Sequence, residues 1–465
     1  MAGLSGLLNM ARDALAAQSY GLNVTSQNIT NANTPLYVRR EAVLQTQALG
    51  TETTGGVQVQ GLRRAADSYA DRSFLTATSM QSAAKEYDSQ LSSVETVFND
   101  SSATGFGSTL DQLFATFQQL SARPSDPTVR QSVLNAADVF ASRANQVSDT
   151  MATQRTDLFD KATELVSQAN QRAQEIAKLN QQIVSARQAG GDASDLIDQR
   201  NLKLLDLAQI VDIRTVSGAY DDIMVQAGGT TLVEGSNTQQ LGVELDASGN
   251  IAYIAHRAGS ADAGADITST ISGGQLFAVK QARDVDILDV SNRFDKFVFD
   301  VATALNASHT AGVGLDGQGG RNIFDVGATA DGAGRAIVLS GDVAGHPEFI
   351  AAASNAGELP GGSSNAVILG NVASMPVVFE NRTPAQAYGD IVGDIGSRRA
   401  ASKSDVDLRA GMLQQSKSAR ESASGVSLDE EMVNLQKYQR AYQATGKVLA
   451  TVDELLAGLI QKVGA

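Results

Sequence analysis

Cysteine and tryptophan are absent from this 465-residue chain, aromatic residues make up 5% of it, and there are only three histidines. Without cysteine there is no disulfide, thiol nucleophile, zinc–thiolate site or iron–sulfur cluster. A cysteine-free chain also suits passage, unfolded, through an oxidising space. His256, His309 and His346 stand at no metal-ligand spacing from one another, and each reads as an ordinary surface or loop residue. Positive charge is short too: 36 Lys and Arg against 51 Asp and Glu leave a net −15, a surface that repels nucleic acid and anionic lipid. No stretch approaches the ~20 apolar residues of a membrane-spanning helix. Residues Met1 to Tyr20 lack a basic start and are interrupted by Asn9, Arg12 and Asp13, unlike a cleavable secretory signal.

The motifs of chemistry are missing as well. There is no phosphate-binding loop, no nucleophile elbow and no zinc-protease pair. Gly312 to Gly317 is glycine-rich but follows a helical pattern rather than a strand, which is the wrong context for a nucleotide. Asp221-Asp222 reads as a turn. Asp429-Glu430-Glu431 reads as the first turn of a helix, where carboxylates favour the positive end of the dipole. The expectation is no catalytic, cofactor-binding or metal-binding residue and no cofactor.

What the chain does have is a seven-residue apolar repeat at each end. Leu8, Leu15, Leu22 and Ile29 form one; Leu428, Leu435, Tyr442, Leu449 and Leu456 form the other, with Tyr438 and Val452 alongside. Such a repeat turns one narrow stripe toward a partner helix. Gln18, Thr25, Glu431 and Thr445 interrupt the stripes, which makes them weak as an isolated pair and suited to an assembly where contacts add. These nine apolar residues are the candidate packing residues.

Between the ends the pattern predicts an α+β chain. A helix over 4–32 stops at Asn33-Thr34-Pro35, and 36–62 alternates like a hairpin. Helices follow over 65–98, 108–122 and 128–188, broken at 99–107 and at Pro124 to Pro127. At ~1.5 Å per residue the third is a rod of ~90 Å. Ser194 or Asp195 is expected to cap the next helix. Short β segments punctuated by glycine fill 211–274 as an inserted β domain. Helix returns at 275–310, and Thr383-Pro384 opens another, to about 423. Residues 311–382 are rich in Gly, Ala and Ser and read as loops and short strands, partly flexible. The predicted layout is nested: 1–60 with 424–465 as a terminal coiled-coil domain; 61–210 with 275–310 and 383–423 as a helical-bundle body; and the two insertions.

The stretch Asn28-Ile29-Thr30-Asn31-Ala32-Asn33-Thr34-Pro35-Leu36-Tyr37-Val38-Arg39 resembles the signature N-I-A-N-A-N-T-P-G-Y-x-R of bacterial flagellar rod and hook proteins. Ser424-Gly425-Val426-Ser427-Leu428-Asp429-Glu430-Glu431, followed by Asn434-Leu435 and Tyr438 to Ala444, resembles the ending of the hook-associated protein 1 family within that superfamily. Leu196 to Arg200 and Ala304 to Gly312 resemble interior segments of it. Asn28, Asn31, Asn33, Thr34, Pro35, Tyr37, Asp429, Glu430 and Glu431 carry the match. Leu36 stands where the family has Gly; if that position needs a positive φ, leucine is strained there. Ser427 replaces an Asn, a near equivalent as a helix cap.

The resemblance implies a structural junction protein connecting hook to filament, with the terminal helices as an inner tube and the other parts outside. It implies a homo-oligomeric ring that contacts the hook protein and the next hook-associated junction protein. It also implies a cytosolic export chaperone on the C-terminal segment, export through the flagellar type III apparatus, and an extracellular place in the flagellum. Nucleic acid and membrane are not expected partners. A hook or distal-rod protein is the alternative in the same class. A secreted adhesin or a wall-degrading enzyme lies further off, because nothing in 215–380 identifies a ligand or a carboxylate cleft.

Overall fold

The computed structural model describes residues 2–49, 53–98, 105–257 and 264–463. Eleven helices and ten strands are described. Helix α1 (Ala2–Thr30) leads into a long antiparallel hairpin, β1 (Arg40–Leu49) and β2 (Thr53–Arg64). Then come α2 (Ser68–Val97), α3 (Phe106–Ala122), α4 (Pro127–Gln188) and α5 (Ser194–Ile210). Most of the predicted break at 99–107 lies outside the described residues; α3 begins within it, at Phe106.

Each start has a local cause. Asp67 accepts bonds from the amides of Tyr69 and Ala70, and Asp126 caps α4 with Pro127 in its first turn. The predicted cap of α5 is corrected. Asp192, not Ser194 or Asp195, accepts from the Ser194 amide and hydroxyl (3.0 and 2.7 Å), which leaves the Asp195 carboxylate free for another partner.

Helix α4 has 62 residues and so runs about 93 Å at 1.5 Å per residue. Its buried positions recur every three or four residues, and many are alanine, including Ala137, Ala144, Ala162, Ala169 and Ala173. Small side chains let neighbouring elements approach this rod closely. The few aromatics gather beside it: Phe98, Phe106, Phe140, Phe294, Phe297, Phe324 and Tyr388 form one connected cluster, with Phe106 and Phe294 edge to face at 4.9 Å. Edge-to-face pairs add about 0.5–1.5 kcal/mol beyond the area they bury.

The β insertion is a six-stranded antiparallel meander: β3 (Ile213–Ser217), β4 (Ile223–Ala227), β5 (Thr230–Glu234), β6 (Asn237–Leu245), β7 (Ile251–Arg257) and β8 (Ala265–Asp266), in that order. Two asparagines of α4 hold it. Asn180, fully buried, donates to the carbonyls of Ile223 and Gly235 and accepts from the Ile223 amide and from Arg200. Asn170 bonds both backbone groups of Leu241 (2.7 and 2.8 Å). The sheet has no separate core: Val225, Val233 and Tyr253 belong to the apolar cluster that also contains Val133, Phe140 and Ile176.

Helix returns as α6 (Gly274–Gln281) and α7 (Ile287–Thr310), joined by a π-turn at Ala282–Asp286. Gly274 has φ +75°, and a Cβ there would lie 2.5 Å from the Ile210 carbonyl oxygen, so only glycine fits.

Residues 311–382 contain a two-stranded pair, β9 (Phe324–Asp325) with β10 (Val338–Leu339), and the short helices α8 (Ala333–Ala336) and α9 (Ser364–Asn371). The expected looseness is corrected here. Ile323, Phe324, Ile337, Val343, Ile350 and Ala352 are fully buried in the common core. Irregular backbone can be buried because side chains satisfy it. Asn306 bonds the amides of Ile323 and Phe324 and the Phe324 carbonyl, and Asn365 donates to the Ala351 carbonyl. His309 is no surface residue but 1% exposed on α7. Its Nε2 accepts from the Ala351 amide (2.9 Å) and its Nδ1 lies 2.7 Å from the Arg321 carbonyl. Helix α10 (Pro384–Ser424), opened by a Thr383–Gln386 capping box, and α11 (Leu428–Val463) complete the chain.

Burial holds the His309 ring neutral and lowers its pKa from 6.5 to about 4. The folded state therefore binds fewer protons than the unfolded one as pH falls. The stabilisation is complete above pH 6.5 and is lost on descending to pH 4, by about 3 kcal/mol in all. Urea unfolding of wild type and His309→Gln should show a shallower pH dependence for the variant across this window. Parallel curves would show that His309 is not the titrating group.

Candidate assembly site

Helix α1 packs on one side against the hairpin, where Gly56 lies against Met10, and on the other against α11. Its buried residues are small or polar: Ala11, Ala17, Gly21, Val24, Thr25 and Asn28. A Cβ on Gly21 would stand 2.5 Å from the Tyr438 ring, so glycine is what lets that ring seat on the α1 backbone. Leu8, Leu15, Leu22 and Ile29 are half-buried beside this contact, as are Leu435, Leu449 and Leu456 on α11.

Leu428 and Tyr442, expected in the same stripe, are 50% and 44% exposed. The seam that α11 turns inward is Glu431, Tyr438, Thr445 and Val452, again spaced by seven. The polar interruptions of the heptad are thus its inner face. The reason is satisfaction rather than hydrophobicity: Glu431 is bonded by Asn28 of α1 and by Arg39.

The centre is Asn28, 1% exposed. Its Oδ1 accepts from the Tyr37 hydroxyl (2.9 Å) and the Arg40 amide (3.0 Å); its Nδ2 donates to the Arg40 carbonyl (2.8 Å) and to Glu431 Oε2 (3.1 Å). These four bonds use the full capacity of an amide side chain. The other Glu431 oxygen accepts from Arg39 Nε at 2.8 Å, and Arg39 also reaches Glu430 at 3.2 Å. The carboxylate is 2% exposed, so pairing and hydrogen bonding are what make its burial tolerable. Asp429 is exposed on the first turn of α11, where Ser427 Oγ accepts from the Glu430 amide (3.4 Å).

The rest of the N-terminal motif builds the strap from α1 to the hairpin. Thr34 bonds Asn31 through backbone and side chain, and the Tyr37 amide donates to the Thr34 carbonyl. Asn33 and Pro35 are exposed on the turn. Leu36 adopts φ +61°, the left-handed conformation that the family's glycine takes freely and a leucine does not.

Sequence reasoning missed how this terminal unit is fixed to the body. Arg40, nearly buried, bonds Asp195 and Asp198 of α5 (2.5 and 3.0 Å), and Arg64 joins it on Asp198. Burial pulls the Arg40 guanidinium down, but the bonds to Asp195 and Asp198 outweigh it and leave it raised. Arg420 of α10 bonds Asp71 of α2 (2.7 Å) and the Leu36 carbonyl (3.3 Å). The available signal was Asp198 itself, inside a segment already singled out. Burial, followed by the charge of Glu431, raises the Tyr438 hydroxyl. Among the described residues no three His, Asp or Glu side chains are grouped as a metal ion would need, and no helix is long and apolar enough to cross a membrane.

The network spends its donors and acceptors within the chain and so holds α1, the base of the hairpin and α11 in one arrangement. Residues 91–324, half of the chain, match the family model of the flagellar hook-associated protein FlgK helical domain. The chain belongs to this flagellar hook-associated family. Residues 417–462 match the flagellar basal body rod FlgEFG protein C-terminal family.

Flagellar hook-associated protein 1 of Salmonella typhimurium is 26% identical over 98% of this chain and the whole of that one. The Bacillus subtilis protein of the same name is 26% identical over 98% of each chain, and that of Escherichia coli 23% identical over 98% of this chain and the whole of that one. The fold is similar to the flagellar hook junction protein FlgK from Burkholderia pseudomallei, with TM-score 0.67 and 15% identity, covering 76% of this chain and all of that one. The family model spans the β insertion.

Asn28→Ala strands the Tyr37 hydroxyl, both Arg40 backbone groups and one oxygen of Glu431. At about 1–3 kcal/mol per stranded buried group, it should loosen α1 and α11 by several kcal/mol, read as faster amide exchange confined to these helices; unchanged exchange would refute the role of Asn28. Leu36→Val should cost about 1–2 kcal/mol, because a β-branched residue tolerates this φ worse. Leu36→Gly should stay within about 1 kcal/mol of wild type, relief of strain offsetting lost burial and added chain freedom. Equal losses in both variants would remove backbone strain from the account.

Proposed function

We propose that the chain is a structural subunit of the junction between hook and filament of the bacterial flagellum. The observation that carries this is the asymmetry of the terminal unit. Its polar face is satisfied inside the chain by the Asn28–Glu431–Arg39 network. Outside that seam α11 leaves Leu428, Met432, Val433, Tyr442, Val448 and Leu455 exposed, Leu428 and Tyr442 along one flank and Val448 and Leu455 along the other. So many large apolar side chains exposed on one helix need cover, and copies of the same helix packed on both its flanks in a closed ring supply it. The hook protein on one side and the next hook-associated junction protein on the other complete the stack. The terminal helices form the inner layer, and the body with its β insertion lies outside.

The work is mechanical. No bond is made or broken, and no cofactor takes part. The protein acts outside the cell, as part of the flagellum, after unfolded export through the flagellar type III apparatus; a cytosolic chaperone covers the C-terminal segment beforehand. The absence of cysteine supports that route. Against a hook or distal-rod protein stands the match at 91–324, since the C-terminal pattern at 417–462 is shared with rod proteins.

Cells lacking the protein and supplied with Leu435→Asp plus Leu449→Asp should fail to retain filaments and should shed filament subunits into the medium, while the variant body keeps its far-UV circular dichroism. Normal filaments on such cells would sink the proposal.

A further inference from the structure

Strand β3 is an edge of the six-stranded sheet and pairs only with β4. The Gly218 amide donates to the Asp222 carbonyl at 2.7 Å and closes the β3–β4 hairpin. The alternation of an antiparallel ladder then gives bonded pairs at Val216 with Met224 and Arg214 with Gln226. It turns the N–H and C=O of Thr215 and Ser217 away from β4. Among the described residues no other group bonds them.

Thr215 to Ser217 border a cleft of about 370 Å³ between the hairpin base, α2, α5 and α10, within the size range of a ligand site. In a chain of net charge −15 this cleft collects four arginines: Arg64, Arg72, Arg200 and Arg420. Its acids are already taken, Asp71 by Arg420 and Asp221 by Arg187, and Arg64 is held by Asp198. Among the described residues Arg72 donates only to the Ser68 carbonyl. Arg200, 5% exposed, bonds Asn180 Oδ1 and the Asp221 carbonyl oxygen, and its Nε has no partner. Burial, followed by the charge of Arg64, lowers its pKa to about 10 against the charges of Asp221 and Asp222. Among the described residues these two cations thus form no ion pair, and they stand beside a strand edge that no described strand pairs.

We infer that this cleft receives an extended acidic segment of another protein chain, added as a further strand on β3 with its carboxylates at Arg72 and Arg200. An unpaired edge is completed by backbone and an unpaired guanidinium by carboxylate; an extended acidic peptide supplies both, and a free anion only the second. The inference stands apart from the ring proposed above, because the exposed apolar residues of α11 play no part in it.

The probe is a fluorescent peptide of about eight residues alternating Thr and Glu, long enough for one strand, titrated into the full-length protein. It should bind saturably and more weakly as salt is raised. A Lys-for-Glu analogue, and one carrying proline at the positions whose amides would face β3, should bind at least about tenfold more weakly. Thr215→Pro, which removes an outward N–H and leaves the β4 ladder intact, should lose about tenfold, as should the exposed Arg72→Glu. If circular dichroism shows Thr215→Pro misfolded, Arg72→Glu and the proline-bearing peptide decide. No saturable binding, equal binding of the lysine analogue, or equal binding of the proline analogue would overturn the inference. The last result, with inorganic phosphate displacing the peptide completely, would reduce the cleft to a simple anion site.

Discussion

A carboxylate that is 2% exposed, in a seam between two helices, is the constraint on which the terminal unit depends. Burying Glu431 without partners would cost more than any single apolar contact nearby could return. The chain meets that cost with Arg39 on one oxygen and Asn28 on the other, and Asn28 is itself completed by Tyr37 and both backbone groups of Arg40. Helix α1, the base of the hairpin and α11, which lies some four hundred residues further on, are thereby set in one orientation. A wholly apolar seam could slide by a turn with little loss, whereas a buried polar contact fixes register. The same reasoning explains why the neighbouring residue Arg40 goes the other way, to Asp195 and Asp198: adjacent arginines at the base of the hairpin serve one end unit and one body.

The asparagine clamp recurs. Asn170 and Asn180 on α4 hold β strands, Asn306 on α7 holds β9, and Asn145 on α4 donates to the carbonyls of Gly334, Arg335 and Ile337. In every case a helical amide side chain takes backbone groups that have no ladder or helix partner there. Helices thus do for inserted segments what a continuous sheet would otherwise do, and a chain with 43 glycines can bury irregular backbone with its polar groups satisfied.

This device marks the limit of what could be read in the sequence. Helices and strands with local causes were legible: Pro124 to Pro127 ahead of α4, Thr383-Pro384 at the start of α10, and glycines between the β segments all act over a few residues. Which face of α11 turns inward was not. Hydrophobicity favours Leu428 and Tyr442, but Gly21 under Tyr438 and Asn28 beside Glu431 decide otherwise, and both lie some four hundred residues away in sequence. The order of 311–382 was hidden for the same reason: its backbone partners are Asn306 and His309 on α7, and no periodicity within the segment records them. Asp195 looked like a helix cap because caps are local, whereas its carboxylate belongs to a joint with Arg40.

The intrachain seam is poor in apolar area, since glycine, alanine, threonine and glutamate occupy much of it. Hydrophobic stabilisation scales with apolar surface removed from water, so within one subunit the α1–α11 pair is oriented strongly and stabilised weakly. The apolar residues that could add stability, Leu428, Met432, Val433, Tyr442, Val448 and Leu455, lie outside it, each about half exposed or more. Covering each would return about 1 kcal/mol, some 6 kcal/mol for the set, before the cost of association is subtracted. A single contact between two copies would be marginal on that balance. In the proposed ring every copy makes the contact twice, and closure leaves no terminal copy with the face uncovered. Polar bonds inside the subunit and apolar surface between subunits therefore divide the work: the first sets geometry before assembly, and the second releases its free energy only on assembly.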